Sequence, residues 1–190
     1  GEIFAYKLLR WYYHILNTKK QWNYWYFLGY IVKYMAKGRV IKMIAIGSDH
    51  GGYKLKEEIK KYLEEREMEY TDCGTFNEES VDYPEIAKAV SLEVQNGECE
   101  KGIIICRSGI GMSMVANKFK GIRCAKCNDE EEAKFSRMHN NSNRLALGAD
   151  YMDVNKAIRI VRTWIATEFE GGRHEARVKM IEEIENENMK

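Results

Sequence analysis

From residue 43 onward the sequence predicts an α/β fold, a parallel sheet covered by helices on both faces. Three observations predict it. Short apolar runs alternate with longer amphipathic stretches. The most apolar run, Gly102–Cys106 (GIIIC), reads as a buried central strand. Glycine-rich turns follow the first and third apolar runs. Strands that alternate with helices pair in parallel, because each helix carries the chain back across a sheet face before the next strand begins.

The elements follow in order. Met43–Gly47 is the first strand and Ser48–Gly52 the turn after it. Tyr53–Glu65 is a helix, with Leu55, Ile59, Tyr62 and Leu63 at helical spacing. Glu69–Cys73 is the second strand, and Asn77–Tyr83 is a polar loop. Pro84 suits the start of a helix over Glu85–Gln95, which Asn96-Gly97 ends. Gly102–Cys106 is the third strand, Arg107–Gly111 a tight turn, and Met112–Phe119 a helix. Ile122–Lys126 and Leu145–Gly148 are strands four and five, with a helix over Glu130–Met138 between them. Helices Val154–Thr167 and His174–Asn186 close the chain.

Composition divides the 190 residues near position 42. Residues 1–42 hold eight Lys/Arg against one acid, and 12 of the 22 aromatic residues; the rest is net acidic. We expect this first segment to lie outside the fold, as translated upstream sequence or a fragment with no role in it, with residues 43–190 forming the functional domain; the alternative is an amphipathic membrane-surface helix, since it mixes Trp and Tyr with Lys. It lacks the apolar core and small-residue cleavage site of a signal peptide. Its aromatic stretch Trp22–Met35 is interrupted by Asn23, Gly29 and Lys33 and is too short to span a membrane. Nucleic-acid binding is disfavoured, because the basic, aromatic-rich stretch is confined to this segment. Five cysteines, an odd number without framework spacing, argue against a secreted disulfide scaffold and for reduced, cytoplasmic thiols. Cys124 and Cys127 form a C-x-x-C, but no second pair follows at zinc spacing, so no metal is expected.

Ligands of parallel sheets bind outside the carboxyl ends of the strands. That rule selects Ser48–Gly52, Arg107–Gly111 and the turn after strand four. In the second of these, Cys106-Arg107-Ser108-Gly109-Ile110-Gly111, the glycines let backbone approach a ligand. Amides at the following helix start suit an anion or an oxyanion and favour a thiolate. A thiolate beside an oxyanion site suits proton abstraction next to a carbonyl; the plainer reading is that Cys106 simply ends a buried strand. Asp49-His50 is either a proton relay and anion contact or a helix cap with an incidental histidine. His139, just beyond a helix, is a candidate acid/base group or a partner of the helix dipole. Arg173 and Arg177, four apart near a helix start, suit a phosphate better than a solvated face. A dinucleotide site is disfavoured, because Ser48-Asp49-His50-Gly51-Gly52 does not supply G-x-G-x-x-G.

Taken together, these pieces resemble one family, ribose-5-phosphate isomerase type B with the related galactose-6-phosphate isomerases. The matching segments are Ile44–Gly52, Asp82-Tyr83-Pro84, Gly102–Lys118, His139-Asn140, Leu145–Gly148 and Glu168–Val178, in family order. The resemblance covers nearly all of 43–190 and none of 1–42. It implies a Rossmann-like three-layer α/β/α sandwich with a five-stranded parallel sheet. It also implies a homodimer or homotetramer whose sites are shared between subunits, and metal-free, cofactor-free interconversion of ribose 5-phosphate and ribulose 5-phosphate. By that resemblance Cys106 is the base. The amides of Arg107, Ser108, Gly109, Ile110 and Gly111, with the Ser108 hydroxyl, hold the enediolate. His139 from the other subunit opens the sugar ring. Asp49, Tyr83 and Asn140 contact the sugar, and His50, Arg173 and Arg177 bind the phosphate. Three positions depart from the pattern. Ser108 replaces a usual Thr, Arg107 replaces a usual Gly, and Asp150 replaces a phosphate-contacting Arg. The alternatives are the same chemistry on allose 6-phosphate or galactose 6-phosphate, and a non-catalytic sugar-phosphate-binding subunit.

Overall fold

The structure, a computed structural model, describes residues 43–189; the expectation for residues 1–42 lies outside the described residues. Five strands form one all-parallel sheet: β1 (Ile44–Ser48), β2 (Tyr70–Asp72), β3 (Lys101–Cys106), β4 (Cys124–Lys126) and β5 (Arg144–Gly148). Their order is β2-β1-β3-β5-β4, so β3 is central as its composition predicts, and all six of its residues are buried. The connecting helices are α1 (Tyr53–Glu65), α2 (Tyr83–Gln95), α3 (Ile110–Ala116), α4 (Glu130–Met138), α5 (Val154–Ala166) and α6 (Arg173–Asn188), with a 3-10 turn at Ala149–Tyr151.

Side chains alternate across a strand, so each strand supplies two cores. Ile44, Ile46, Ile103, Ile105, Leu145 and Leu147 share one core with Ile59 and Leu63 of α1, Ala133 of α4, and Ile160 and Trp164 of α5. Ala45, Ile104, Cys106 and Ala146 join Ala87 and Val90 of α2 and Met112 and Ala116 of α3. The second face is built from smaller residues, and that brings α2 close. A Cβ on Gly47 would lie 2.7 Å from Val90 Cγ2.

Local chemistry moves several boundaries from their expected places. The third helix starts at Ile110 rather than Met112, where the Ile110 amide donates to Ser108 Oγ at 3.2 Å. It stops at Ala116 rather than Phe119. The Asn117 side chain then donates to the Cys124 carbonyl and accepts from the Cys124 amide, standing in for a neighbouring strand. That delays β4 to Cys124, past the expected Ile122. The second helix includes Tyr83, with Pro84 in its first turn.

A buried cation joins α1 to β2. Lys56, fully buried, places Nζ 2.7 and 2.6 Å from the two Asp72 oxygens, and Lys60 Nζ lies 2.8 Å from Asp72 Oδ2. The last helix is different in kind. Within α6 only His174 and Val178 are buried, while Met180, Ile181 and Ile184 are exposed. Among the described residues, no helix is long and apolar enough to cross a membrane.

Candidate active site

Three loops converge at the carboxyl ends of β1, β3 and β5, and glycines let them touch. A Cβ on Gly52 would lie 2.6 Å from the Ile105 carbonyl oxygen, and one on Gly148 would lie 2.6 Å from that of Ser108. The Asp49 amide donates to Ile105 O at 3.1 Å, tying the β1 loop to β3. The Asp49 side chain is buried, and its Oδ1 accepts the Gly52 amide at 3.0 Å. Asp49 therefore shapes the turn and does not cap the helix, whose N-cap residue Gly52 has no side-chain cap. His50 accepts the Val81 amide on Nδ1 at 3.3 Å, which leaves Nε2 to carry its proton.

Cys106 ends β3, and its Sγ accepts the Gly109 amide at 3.1 Å. Gly109 is the left-handed residue of this turn, with φ 75°, and a Cβ there would lie 2.9 Å from the Leu147 carbonyl carbon. The positive φ falls at 109 and not at 107, so an arginine is accommodated at 107 without backbone strain. Burial pushes the thiols of Cys73, Cys124 and Cys127 up to about 12, which keeps them protonated and inert.

Two side chains frame this turn. A Cβ on Gly111 would lie 2.8 Å from Tyr83 Cζ and 3.1 Å from its hydroxyl, so the phenol rests against the backbone there. A Cβ on Gly51 would lie 2.5 Å from Arg107 Cγ, so Arg107 lies across the β1 loop. Its guanidinium Nη1 stands 3.9 Å from Asp150 Oδ2. Ile110, Met114 and Tyr151 are exposed apolar residues on the surrounding loops and α3. The third segment selected from the sequence, the turn after β4, goes to helix capping instead. Asp129 Oδ1 accepts the Glu132 amide, and Glu132 Oε2 accepts that of Asn128.

The remaining candidates sit elsewhere. Helix α4 returns the chain to the amino end of the sheet, where Gly102 at the start of β3 bonds to Asn143 just before β5. His139 and Asn140 lie at this end. At about 3.3 Å per residue, β3 separates it from Cys106 by roughly 13 Å. The amino end of α6 joins them, with the Glu170 amide donating to Met138 O at 3.1 Å. Arg173 and Arg177 are exposed on its first turns. The nearby acids are engaged elsewhere, Glu175 with Lys179 at 3.4 Å and Glu170 with His139 at 3.9 Å. Within one chain the candidate residues thus form two groups at opposite ends of the sheet.

Three residues of the second group were not assigned a role from the sequence. Phe135, one turn before His139 on α4, stacks on its ring with centroids 4.9 Å apart. His174 stacks on the other face at 4.2 Å. Glu170 Oε2 lies 3.9 Å from His139 Nε2. The (i, i+4) spacing of Phe135 and His139 was a readable signal; the contact with α6 was not. Ligand atoms of His139, Glu170 and His174 fall within 4.8 Å of one another, a spacing that can suit a metal. The arrangement does not. The imidazoles are within 8° of parallel, so their lone pairs lie in separate planes, and Arg173 Nε already donates to His174 Nε2 at 3.3 Å. Burial, followed by the charges of His139 and Arg173, lowers the His174 pKa below its ordinary 6.5.

Alongside α6 a cleft of about 510 Å³ is lined by Ile122, Cys124, Asn140, Ile181, Ile184 and Met189. None of the carboxyl-end residues lines it.

Comparison with known proteins identifies the family and the fold. Residues 44–181 match the Ribose/Galactose Isomerase family. The chain is 46% identical over 145 residues to ribose-5-phosphate isomerase B of Escherichia coli, covering 76% of this chain and 97% of that one. A putative sugar phosphate isomerase of Bacillus subtilis, YwlF, is 46% identical over 147 residues, covering 77% of this chain and 99% of the relative. The solved structure of Clostridium thermocellum ribose-5-phosphate isomerase B superposes with a TM-score of 0.75 at 50% identity, over 76% of this chain and 98% of the other. Its likeness extends to the five-stranded α/β sandwich itself. A match of this length and identity settles the kinship: the chain belongs to the ribose/galactose isomerase family of enzymes.

Proposed function

We propose that residues 43–190 interconvert ribose 5-phosphate and ribulose 5-phosphate, a step of the pentose phosphate pathway, with Cys106 as the base. The observation that carries this reading is the Cys106 sulfur at the carboxyl end of the central strand, facing the Gly109 amide at 3.1 Å. A donor aimed at sulfur stabilises charge there. In this reading Sγ takes the proton from C2 of the open-chain aldose. The C–H electron pair forms the C1–C2 double bond of an enediolate, and the C1 oxygen takes up negative charge. Amides of residues 107–111 and the Ser108 hydroxyl stabilise that oxygen. The thiol returns the proton to C1 as the O2 proton passes to O1, leaving a hydroxyl at C1 and the ketone at C2.

The sugar contacts are Asp49 and Tyr83, with Asn140 contributed across the subunit boundary. His50, Arg107, Arg173 and Arg177 hold the phosphate. Ribose 5-phosphate is mostly a closed ring, so His139 moves protons for ring opening before enolisation. Because His139 and Cys106 stand at opposite ends of one sheet, we assign them to one site across two copies of the chain. The reading is therefore a homodimer, or a homotetramer built from such dimers. Exposed Met180, Ile181 and Ile184 on α6, and Ile110 and Met114 near Cys106, are surfaces that such an assembly would cover. Free cysteines at positions 73, 99, 106, 124 and 127 suit a reducing, cytoplasmic setting. The family match starts at residue 44, which supports placing residues 1–42 outside the catalytic unit.

The test is turnover of ribose 5-phosphate by the full chain, read as ribulose 5-phosphate formed. Turnover is the expected result. A folded dimer that leaves ribose 5-phosphate unchanged but isomerises a six-carbon sugar phosphate would replace the substrate. One that binds sugar phosphates without turnover would refute the catalytic reading.

A further inference from the structure

His139 is held by rings on both faces. Phe135 stacks with an interplanar angle of 18° and His174 with one of 8°. With both faces covered, the nitrogen-bearing edge is what remains for a reactant. Both neighbours are anchored. The His139 amide donates to Phe135 O at 2.9 Å within α4, and the Glu170–Met138 bond ties the lead-in to α6 to the end of α4. His174 is 4% exposed, and its Nε2 accepts from Arg173 Nε at 3.3 Å. Accepting that bond requires Nε2 to be unprotonated, so His174 is a neutral ring. The charged groups around it are consistent with this state: Arg173 and Arg177 on α6 and His139 at the end of α4 disfavour a second cation, while Glu170 favours one. A neutral ring can cover His139 in either of its protonation states, whereas a cationic one would repel a protonated His139.

We propose that His174 is the positioning residue for His139, fixing the imidazole in the orientation that ring opening requires. It touches no reacting atom, and the proposal rests on the reading of Cys106 as base and His139 as ring opener. In ring opening, the C1 hydroxyl loses its proton, the C1–O4 bond breaks, C1 becomes an aldehyde and O4 gains a proton. A misaligned imidazole serves neither transfer. The enolisation that follows uses Cys106 and is independent of this ring.

Substrate chemistry separates the two steps. Ribulose 5-phosphate has its O5 phosphorylated and cannot close a five-membered ring, so it is already open. Exchange of its C1 proton with solvent deuterium requires the base and not the ring opener. The experiment measures both reactions in the full chain: ribulose formation from ribose 5-phosphate, and deuterium incorporation at C1 of ribulose 5-phosphate. For His174→Ala we expect the first to fall about tenfold or more while the second stays within about threefold of the parent. His174→Phe retains a stacking ring and restores the first to within about threefold.

Three results would overturn the proposal: unchanged ribose turnover in His174→Ala, loss of exchange together with turnover, or a Phe variant as poor as the Ala variant. A failure of the Cys106 reading registers separately, as exchange absent from the parent or persisting in Cys106→Ala.

Discussion

Arg107 Nη1 lies 3.9 Å from Asp150 Oδ2, and the Asp150 amide donates to the Arg107 carbonyl at 3.0 Å. These are two of the positions where the chain departs from the pattern it resembles, and the fold makes them neighbours. An acid where an arginine is usual would repel a phosphate. An arginine from the adjacent loop offsets it, and its own resident partner is that same acid. Both side chains are more than half exposed, so the pair is weak and open to competition from a substrate. Asp150→Asn should lower KM for ribose 5-phosphate, and Arg107→Gln should raise it, each by about two- to fivefold, the scale of an exposed pair. Steady-state kinetics at low salt reads both. An unchanged KM in Arg107→Gln would remove that residue from phosphate binding.

Arg173 and Arg177 should part company when each is replaced by Ala. Both should raise KM about tenfold or more, the scale of a charge-assisted hydrogen bond. Arg177→Ala should leave kcat nearly unchanged if, as proposed, it contributes only uniform binding of the phosphate. Arg173→Ala should lower kcat as well, since its Nε also holds His174. Identical effects in the two variants would separate the Arg173–His174 bond from catalysis.

Stability should depend on Asp72 in a pH-dependent way. Burial acts to raise its pKa, but the bonds from Lys56, Lys60 and the Gly74 amide outweigh burial and hold it below the ordinary 3.8. A lowered carboxyl stabilises the fold above its unfolded value, and that contribution disappears as pH falls through the folded value. Asp72→Asn leaves the fully buried Lys56 without its main counter-ion and should cost about 3 kcal/mol near neutral pH. Urea unfolding of parent and variant should show that gap narrowing once the pH drops below about 4. A gap independent of pH would contradict the assignment.

Much of the fold was readable along the chain. Alternating apolar runs located all five strands, and GIIIC marked the central one. The misplaced ends have specific causes that lie in side chains. Ser108 and Asn117 bond to backbone groups at either end of α3, and neither bond follows from hydrophobic spacing. The site was readable in part. Asp49 and Arg107 lie on loops that the carboxyl-end rule selects, and Cys106 ends the strand before one of them; Tyr83 lies on α2 and came from the resemblance alone. The stack on His139 needed the fold, because it brings α6 against α4. The Arg107–Asp150 contact joins loops after different strands, so its register appears only once β3 and β5 pair.

The central claim is that one site draws Cys106 from one copy and His139 from another. Mixing separately inactive variants tests it. Cys106→Ala and His139→Ala, each as a full chain, should each turn over ribose 5-phosphate about a hundredfold or more slower than the parent. Unfolded together and refolded, they should form mixed dimers with one intact pair, and regain about a quarter of parental turnover under two-fold symmetry. A refolded mixture no more active than its two components would contradict a site shared between copies.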